Sequence, residues 1–348
     1  MNMDRDCYYA FIGTNSVRGS RGIYTLRIDA ASGAAEVVST AWAYNTGSVA
    51  LSRDGKNLYA VAEGMTFEGW ADGGVTAYQV GQDGVLNRLN GQRSYGQRTC
   101  CAAVDGAKKN VYVCNFYDGT WSAYALTGEG ALEPARLTVA PPENSGWKAL
   151  HCVEEIGDGY VGVISLAECA LVIYRADSGA RVTSYTFPGN PFPRYFAAVG
   201  EHIYAMMQSP DEIYVFRSHL EERGAVELVQ TVRLLDEAHP AMAATSTIRV
   251  TPDGRLVLAA NRPSNTITVF SRQSDGTLVR ERVVDIPGDG PRDFHISGDG
   301  ALVVTAMQHS DQVYVLKIDY ENKTLLPLSG PIRVPSPAAV AVSGRCRE

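Results

Sequence analysis

A phrase repeated along nearly the whole chain constrains its fold more than any other sequence feature. Each copy has a short apolar run ending in a Gly turn, a strand-like run, a polar break and a second strand-like run. The clearest copies occupy residues 48–80 and 247–270. Weaker copies begin near Cys100, His151, Arg194 and Arg292. A period of roughly 40 to 50 residues with about four strands is typical of β-propeller blades. The repeat therefore predicts an all-β propeller.

The number of copies predicts how the propeller closes. Six full copies follow a first unit that has only three strand-like runs, at residues 8–13, 22–28 and 36–38. The missing opening phrase occurs at the other end of the chain, in residues 335–344. We therefore predict a single seven-bladed domain over residues 1–348, in which residues 338–342 form the inner strand of the first blade. This pairing removes an open sheet edge. The only helical turn that we expect lies at residues 221–225.

Composition narrows the class of protein. The 348 residues carry a formal net charge of −7 and no basic stripe, which argues against a nucleic-acid partner. The first residues lack an apolar signal and no run approaches membrane-spanning length, so we expect a cytoplasmic protein without membrane contact. The seven cysteines are scattered without a Cys-x-x-Cys pair, which favours neither a disulfide framework nor zinc. We expect no cofactor and no metal, and we expect Cys100 and Cys101 to pack as small apolar residues.

The repeat also predicts where a functional site lies. In a blade, the start of the first strand and the end of the second lie on the same face of the ring. The first of these positions is occupied by polar or reactive residues in several blades, namely Cys100, His151, Arg194 and Arg292. The second position is equally polar, with Glu63, Asn115, Gln208, Asn261 followed by Arg262, and Gln308. Purely structural strands favour Val or Ile at such positions, so we predict that these side chains surround one ligand site.

The residues leave two interpretations of the arginines open. Arginines converging on a concave mouth suit a carboxylate or phosphate ligand. Alternatively, each arginine pairs with a neighbouring carboxylate, as Arg292 could with Asp293, and braces one blade against the next. His151 is equally open, because a histidine at this position can be an acid–base group or a structural hydrogen-bond donor.

Two segments are longer than the repeat requires. The segment 63–74 is rich in Gly and contains Phe67 and Trp70. It either folds over the mouth as a cover that excludes water or forms a surface insertion with a packed aromatic residue. The segment 140–151, which a Pro-Pro pair keeps extended, is a candidate second wall of the site.

Several motifs together resemble one family. They are Phe-Ile-Gly-Thr at residues 11–14, Ile-Arg-Val-Thr-Pro-Asp-Gly-Arg at 248–255, Asn-Arg at 261–262 and Pro-Arg-Asp-Phe at 291–294. With these motifs together, and along essentially its whole length, the chain resembles the seven-bladed lactonases. That family includes propeller-type 6-phosphogluconolactonases and fungal carboxymuconate cyclases. The resemblance implies an acid–base role for His151, which matches a histidine of the family's His-Ala-His-Ser phrase. It also implies that Arg194 and Arg262 match site arginines.

The chain departs from the family's pattern at other site positions. A family glutamate falls on Gln208, and an acidic residue before Ile-Arg-Val falls on Thr247. The resemblance therefore implies an enzyme that hydrolyses a small acidic lactone, or forms it from the open-chain acid, with His151 as the remaining acid–base group. The expected partner is a small anionic metabolite, either a lactone or a sugar acid. Two alternatives stay open, a catalytically silent propeller that binds an anionic metabolite or a protein, and a lyase or isomerase that uses the same ring.

Overall fold

The computed structural model describes residues 6–141, 146, 148–157, 159–239 and 244–346. Within these residues the chain forms seven four-stranded antiparallel sheets and one short helix, α1 (Leu220–Arg223). The predicted seven-bladed, all-β architecture is confirmed. The helical turn lies one residue before the predicted start.

Each sheet is one blade, described here from its innermost strand outward. Blade 1 consists of β28 (Pro337–Val342), β1 (Cys7–Thr14), β2 (Gly22–Asp29) and β3 (Ala35–Trp42), and blade 2 consists of β4 (Val49–Leu51), β5 (Asn57–Ala62), β6 (Gly74–Val80) and β7 (Leu86–Arg93). Blade 3 consists of β8 (Thr99–Val104), β9 (Asn110–Asn115), β10 (Trp121–Leu126) and β11 (Leu132–Val139), and blade 4 consists of β12 (Leu150–Glu155), β13 (Tyr160–Ser165), β14 (Ala170–Arg175) and β15 (Arg181–Thr186). Blade 5 consists of β16 (Phe192–Val199), β17 (His202–Ser209), β18 (Glu212–His219) and β19 (Ala225–Arg233). Blade 6 consists of β20 (Thr245–Val250), β21 (Leu256–Asn261), β22 (Thr266–Arg272) and β23 (Leu278–Asp285). Blade 7 consists of β24 (Pro291–Ile296), β25 (Leu302–Met307), β26 (Gln312–Asp319) and β27 (Thr324–Arg333).

The seven innermost strands form a closed ring. Each contacts the innermost strand of the next blade, in the order β4, β8, β12, β16, β20, β24, β28 and back to β4. They therefore line the central channel of the propeller.

Burial along the strands follows from this arrangement. The second strands of blades 2, 4, 6 and 7 are buried at every residue, because both of their faces pack against neighbouring blades. Their sequences are accordingly near-continuous apolar runs. The outermost strands, such as β3 and β11, carry many exposed residues. The core thus consists of apolar layers between adjacent blades.

A recurrent turn explains the Asp-Gly element of the repeat. In blade 2 the hydroxyl of Ser52 donates to Asp54 Oδ1 at 2.8 Å and accepts a hydrogen bond from the backbone N–H of Asn57 at 3.0 Å. Gly55 follows with a positive φ of 73°, a conformation that favours glycine. The same Ser/Thr-to-Asp hydrogen bond recurs in blades 6 and 7. These turns connect the first and second strands, so they lie at the end of the channel opposite the start of the first strands.

Blade 1 is closed by the C-terminal strand, as predicted. Strand β28 pairs antiparallel with β1, with Ala341 opposite Phe11. Beyond β28 the backbone N–H of Ser343 donates to Tyr9 O at 2.8 Å. No helix in the described part of the chain is long and apolar enough to span a membrane.

Candidate active site

A β-bulge at the start of the innermost strand sets the position of each predicted first-strand side chain. Pairing of β12 with β13 passes from Leu150 opposite Ser165 to Cys152 opposite Ile164, so His151 is an extra residue. The equivalent shift leaves Cys100, Arg194 and Arg292 as the extra residues of blades 3, 5 and 7. A bulge residue has no partner in the ladder and its side chain is redirected. These four side chains therefore occupy equivalent places around the channel mouth.

Three arginines from blades 5, 6 and 7 form what we term the arginine cluster, Arg194, Arg262 and Arg292. Burial and the charges of Arg292 and Arg262 hold the pKa of Arg194 well below its usual range. Burial and Arg292 lower the pKa of Arg262 to about 10. The three guanidinium groups are thus close enough to repel one another, and arginine side chains stay charged at neutral pH.

The hydrogen bonds of the arginine cluster go to neutral acceptors. Arg194, which is 7% exposed, donates through Nε to Ser246 O at 3.0 Å and through Nη1 to Gln208 Oε1 at 3.0 Å. Arg262 donates to the same Gln208 oxygen at 3.4 Å and to Ala244 O at 3.1 Å. Within the described residues Arg292 makes no hydrogen bond or ion pair.

Two acidic residues that the sequence places beside the site, Asp293 and Glu63, pair with other arginines. Asp293 lies 3.6 Å from Nη2 of Arg249 and accepts a hydrogen bond from the backbone N–H of Val340 at 2.8 Å. Glu63 pairs with Arg98 at 2.8 Å. Asp293 thus forms its ion pair with Arg249 rather than with Arg292, although the charge of Arg292 partly offsets the rise that burial causes in the Asp293 pKa. Among the described residues no carboxylate forms an ion pair with the arginine cluster, and its positive charge is free to attract an anionic ligand.

His151 lies beside the arginine cluster. Its ring contacts Phe116 edge to face, with centroids 6.1 Å apart. Its Nδ1 is buried and has no hydrogen-bond partner in the described part of the chain, although the residue as a whole keeps partial exposure. Burial, followed by the charges of Arg194 and Arg292, holds the pKa of the His151 imidazole well below its usual range. The ring is therefore neutral at pH 7.

Gln208 is a bulge residue of the second strand of blade 5. Pairing of β16 with β17 passes from Phe192 opposite Ser209 to Pro193 opposite Met207, which leaves Gln208 unpaired in the ladder. Its single side-chain oxygen accepts hydrogen bonds from both Arg194 and Arg262. A glutamate here would neutralise part of the cluster, whereas the amide orients two guanidinium groups without adding charge.

The other predicted site residues have different surroundings. Asn115 is fully buried, and its amide bonds Thr99, Ser94 and Thr120 within its own blade and the turn before it. Asn261 is also fully buried, and its Oδ1 accepts a hydrogen bond from the backbone of Ser264 at 3.3 Å. Gln308 is 8% exposed, and its carbonyl oxygen accepts a hydrogen bond from Arg18 at 3.1 Å. The structure brings His151, Gln208 and the arginine cluster together, and gives the two asparagines internal contacts.

The sequence argument missed a second polar group among the innermost strands. Arg249 lies 3.6 Å from both Glu154 and Asp293, and its guanidinium lies 5.1 Å from the ring centroid of Tyr195. Burial raises the pKa of Glu154 to about 7, although the charge of Arg249 opposes this shift. The available signal was a charged residue near the end or middle of each of three innermost strands, namely Glu154, Arg249 and Asp293.

The insertion at residues 63–74 packs on its own blade. Phe67 and Trp70 are joined by backbone hydrogen bonds and their rings stack with centroids 6.1 Å apart. The Phe67 ring lies on Gly74 and Gly91, where any Cβ would overlap it. The Phe67 ring therefore covers strands β6 and β7 with Trp70 stacked on it, as in the surface-insertion alternative. Much of the other candidate wall, at residues 142–145 and 147, lies outside the described residues.

Comparison with known proteins agrees with the seven-bladed fold. Residues 9–342 match the family described as "Lactonase, 7-bladed beta-propeller". A relative from Bacillus subtilis (strain 168), named 6-phosphogluconolactonase, is 27% identical, and the match covers 96% of this chain and 97% of the relative. The structure of the Pseudomonas aeruginosa periplasmic gluconolactonase has a TM-score of 0.85 at 20% identity and covers 97% of this chain and 99% of its own. A Lactobacillus plantarum protein has a TM-score of 0.85 at 24% identity, with 98% and 99% coverage. The chain therefore belongs to the seven-bladed β-propeller lactonase family.

Proposed function

We propose that this protein is a lactonase whose substrate is a small lactone carrying a negative charge, hydrolysed at the channel mouth. The reverse cyclisation of the open-chain acid would use the same groups. One observation carries the proposal: the arginine cluster holds three positive charges beside a neutral histidine, without an ion-paired carboxylate in the described residues.

The arginine cluster supports recognition of an anion. Guanidinium groups already held by Gln208 and by backbone carbonyls need little reorganisation to receive a ligand oxygen. An anion that binds there also relieves the repulsion between the arginines, so its charge contributes directly to binding. Arg292 is the best placed of the three to bind the ligand, because it makes no hydrogen bond with described residues.

His151 supports the proton transfers that hydrolysis needs. Its neutral imidazole would accept a proton from the water that attacks the lactone carbonyl. The resulting oxyanion would be stabilised by a guanidinium of the cluster. When the ring C–O bond breaks, the imidazolium would return the proton to the leaving alkoxide. The positive surroundings that lower the pKa of His151 make the imidazolium a good proton donor.

The absence of a carboxylate ion-paired with the cluster in the described residues supports a second candidate function, a binding protein without turnover. Gln208 can neither accept nor donate a proton in catalysis, so His151 is the acid–base group left beside the arginines. A ligand can then be held by charge without being activated. This candidate predicts anion binding with no product.

A matched pair of δ-lactones that differ by one anionic group separates these functions. Proton release by purified protein should be fast for the acidic lactone and slow for the neutral one. Arg262→Gln should lower kcat/KM for the acidic lactone by at least about tenfold, the loss expected when a charge-assisted hydrogen bond is removed. Arg255→Gln is the control, since Arg255 is exposed on the turn of blade 6. Equal rates on both lactones would contradict the proposal, and binding without turnover would establish the second candidate.

A further inference from the structure

Four of the seven cysteines gather between blades 3 and 4, although they are scattered in the sequence. Cys101, Cys114 and Cys152 are buried, and Cys100 packs against the same core cluster. Cys101 lies opposite Cys114 in the pairing of β8 with β9. None of the seven cysteines forms a disulfide. In the described part of the chain, no group of three or more His, Cys, Asp or Glu side chains is arranged so that it could hold a metal ion.

Cys100 differs from the other three in its surroundings. As the bulge residue of β8 it is partly exposed at the channel mouth, at the place that His151 and Arg194 occupy in blades 4 and 5. The Cys100 side chain lies close enough to Arg194 to contribute to the pKa of the Arg194 guanidinium. Reactive cysteines are typically partly exposed in electropositive surroundings. Cys100 is the thiol of this cluster that meets both conditions.

Cys114 lies directly behind Cys100. The two sulfur atoms are 3.8 Å apart, and Cys114 is fully buried. Burial, followed by the neighbouring Cys100, raises the pKa of the Cys114 thiol well above its usual range. Cys114 is therefore shielded from solvent and carries its proton at neutral pH. This is the relation between an attacking and a resolving cysteine.

We propose that Cys100 is a site of oxidative modification by hydroperoxides and that Cys114 resolves it as a Cys100–Cys114 disulfide in the wall of the site. In the first step the Cys100 thiolate attacks one peroxide oxygen. A sulfur–oxygen bond forms, the O–O bond breaks, and the leaving alkoxide or hydroxide takes up a proton.

In the second step the Cys114 sulfur attacks the Cys100 sulfenic acid. The S–S bond forms and the S–O bond breaks, while hydroxide leaves with the Cys114 proton as water. The two thiols together supply the two electrons that reduce the peroxide, and a dithiol reductant reverses the change. Because the Cys100 sulfur lies 3.4 Å from Leu150 O and 3.8 Å from His151 O, the bond forms beside the backbone that positions His151.

Peptide mass spectrometry after treatment with hydrogen peroxide tests the proposal. Trypsin cuts after Arg98, Lys108, Lys109 and Arg136, so Cys100 and Cys114 fall in different peptides, residues 99–108 and 110–136. Oxidised protein should yield these two peptides cross-linked, with two hydrogen atoms fewer than their sum. Dithiothreitol should separate them. Cys346, which is partly exposed and distant in the ring, should stay alkylatable under the same dose.

Variants assign the cross-link to the proposed pair. Cys101→Ser should keep it, because Cys101 shares the first peptide but is fully buried. Cys100→Ser should abolish it, and Cys114→Ala should leave a sulfenic acid on Cys100 that dimedone captures. A cross-link that survives Cys100→Ser, or a Cys100 thiol that reacts no faster than Cys346, would overturn the proposal. Circular dichroism of each variant shows whether it is folded, and Cys100→Ser changes a partly exposed residue.

Discussion

Replacing Gln208 by Glu offers the sharpest test of the arginine cluster. The Gln208 side-chain oxygen lies 3.0 Å from Nη1 of Arg194 and 3.4 Å from Nη2 of Arg262, so Gln208→Glu adds one negative charge at the centre of the cluster. At an effective dielectric constant of about 20, two unit charges roughly 6 Å apart repel by about 3 kcal/mol. An anion bound by the cluster should therefore bind about 100-fold more weakly per unit of its charge.

The new carboxylate should also stabilise the free protein. Arg194 and Arg262 are already desolvated, so pairing them with the introduced carboxylate relieves their mutual repulsion without burying them further. We therefore expect Tm to rise while anion affinity falls. Few substitutions in a binding site change the two quantities in opposite directions for an electrostatic reason.

Isothermal titration calorimetry with sulfate at pH 7 and fixed ionic strength measures the affinity, and differential scanning calorimetry measures Tm. Gln79→Glu is the matched control, since it adds the same charge at an exposed position of β6. Gln208→Met separates the added charge from the loss of the acceptor. Sulfate affinity in Gln208→Glu equal to that of the wild type would refute the inference that the cluster binds anions.

Four further outcomes are expected. His151→Gln should lower kcat on an acidic lactone by roughly 100-fold or more while ligand affinity stays nearly unchanged, and unchanged turnover would exclude His151 as the base. Because the positive charges lower the pKa of His151, the neutral, base-competent ring persists below about pH 6.5; Arg292→Gln should raise that pKa and move the acid limb of the pH–rate profile to higher pH. Burial, followed by the charge of Arg249, lowers the pKa of His295 to about 3 in the folded protein. Below about pH 6.5 the unfolded chain therefore protonates this histidine while the folded protein keeps it neutral. Urea titrations should therefore show the wild type losing stability relative to His295→Gln by up to about 1.4 kcal/mol per pH unit as pH falls through that range, and parallel stability curves would contradict this. Truncation before residue 337 should remove β28, open blade 1 and lower Tm sharply in calorimetry; an unchanged Tm would mean that ring closure contributes little.

The fold was predictable because it rests on a repeat. Each blade has the same succession of apolar runs and turns in its sequence, so the number of copies predicted seven blades. The copy of the opening phrase at residues 335–344, which had no unit of its own, predicted β28. The turns were visible as a recurring Gly, and in blades 2, 6 and 7 a Ser or Thr hydroxyl donates to the Asp side chain before that Gly. Such signals are local in sequence, which is why no long-range information was needed to find them.

The site was predictable only in part. The position of His151 and of the arginine cluster follows from the repeat, but the bulges that redirect these side chains depend on register, which no single strand encodes. The pairing of Asp293 with Arg249 rather than with its neighbour Arg292 depends on the direction of consecutive side chains across three blades. Asn115 was predicted to face the site because it is a polar residue at a strand end. Its side chain instead bonds Thr99 and Thr120 within its own blade, which is another role that such a residue can have.

The closure of blade 1 bears on how the protein is made. Strand β1 emerges from the ribosome before every other strand and β28 after them, with almost the whole described chain between them. Until then the inner edge of β1 has no partner, and the arginines of blades 5 to 7 have no completed ring to hold them opposite one another. Folding of the nascent chain can therefore accumulate blades in order, but the ring closes only in one step, after translation has delivered β28.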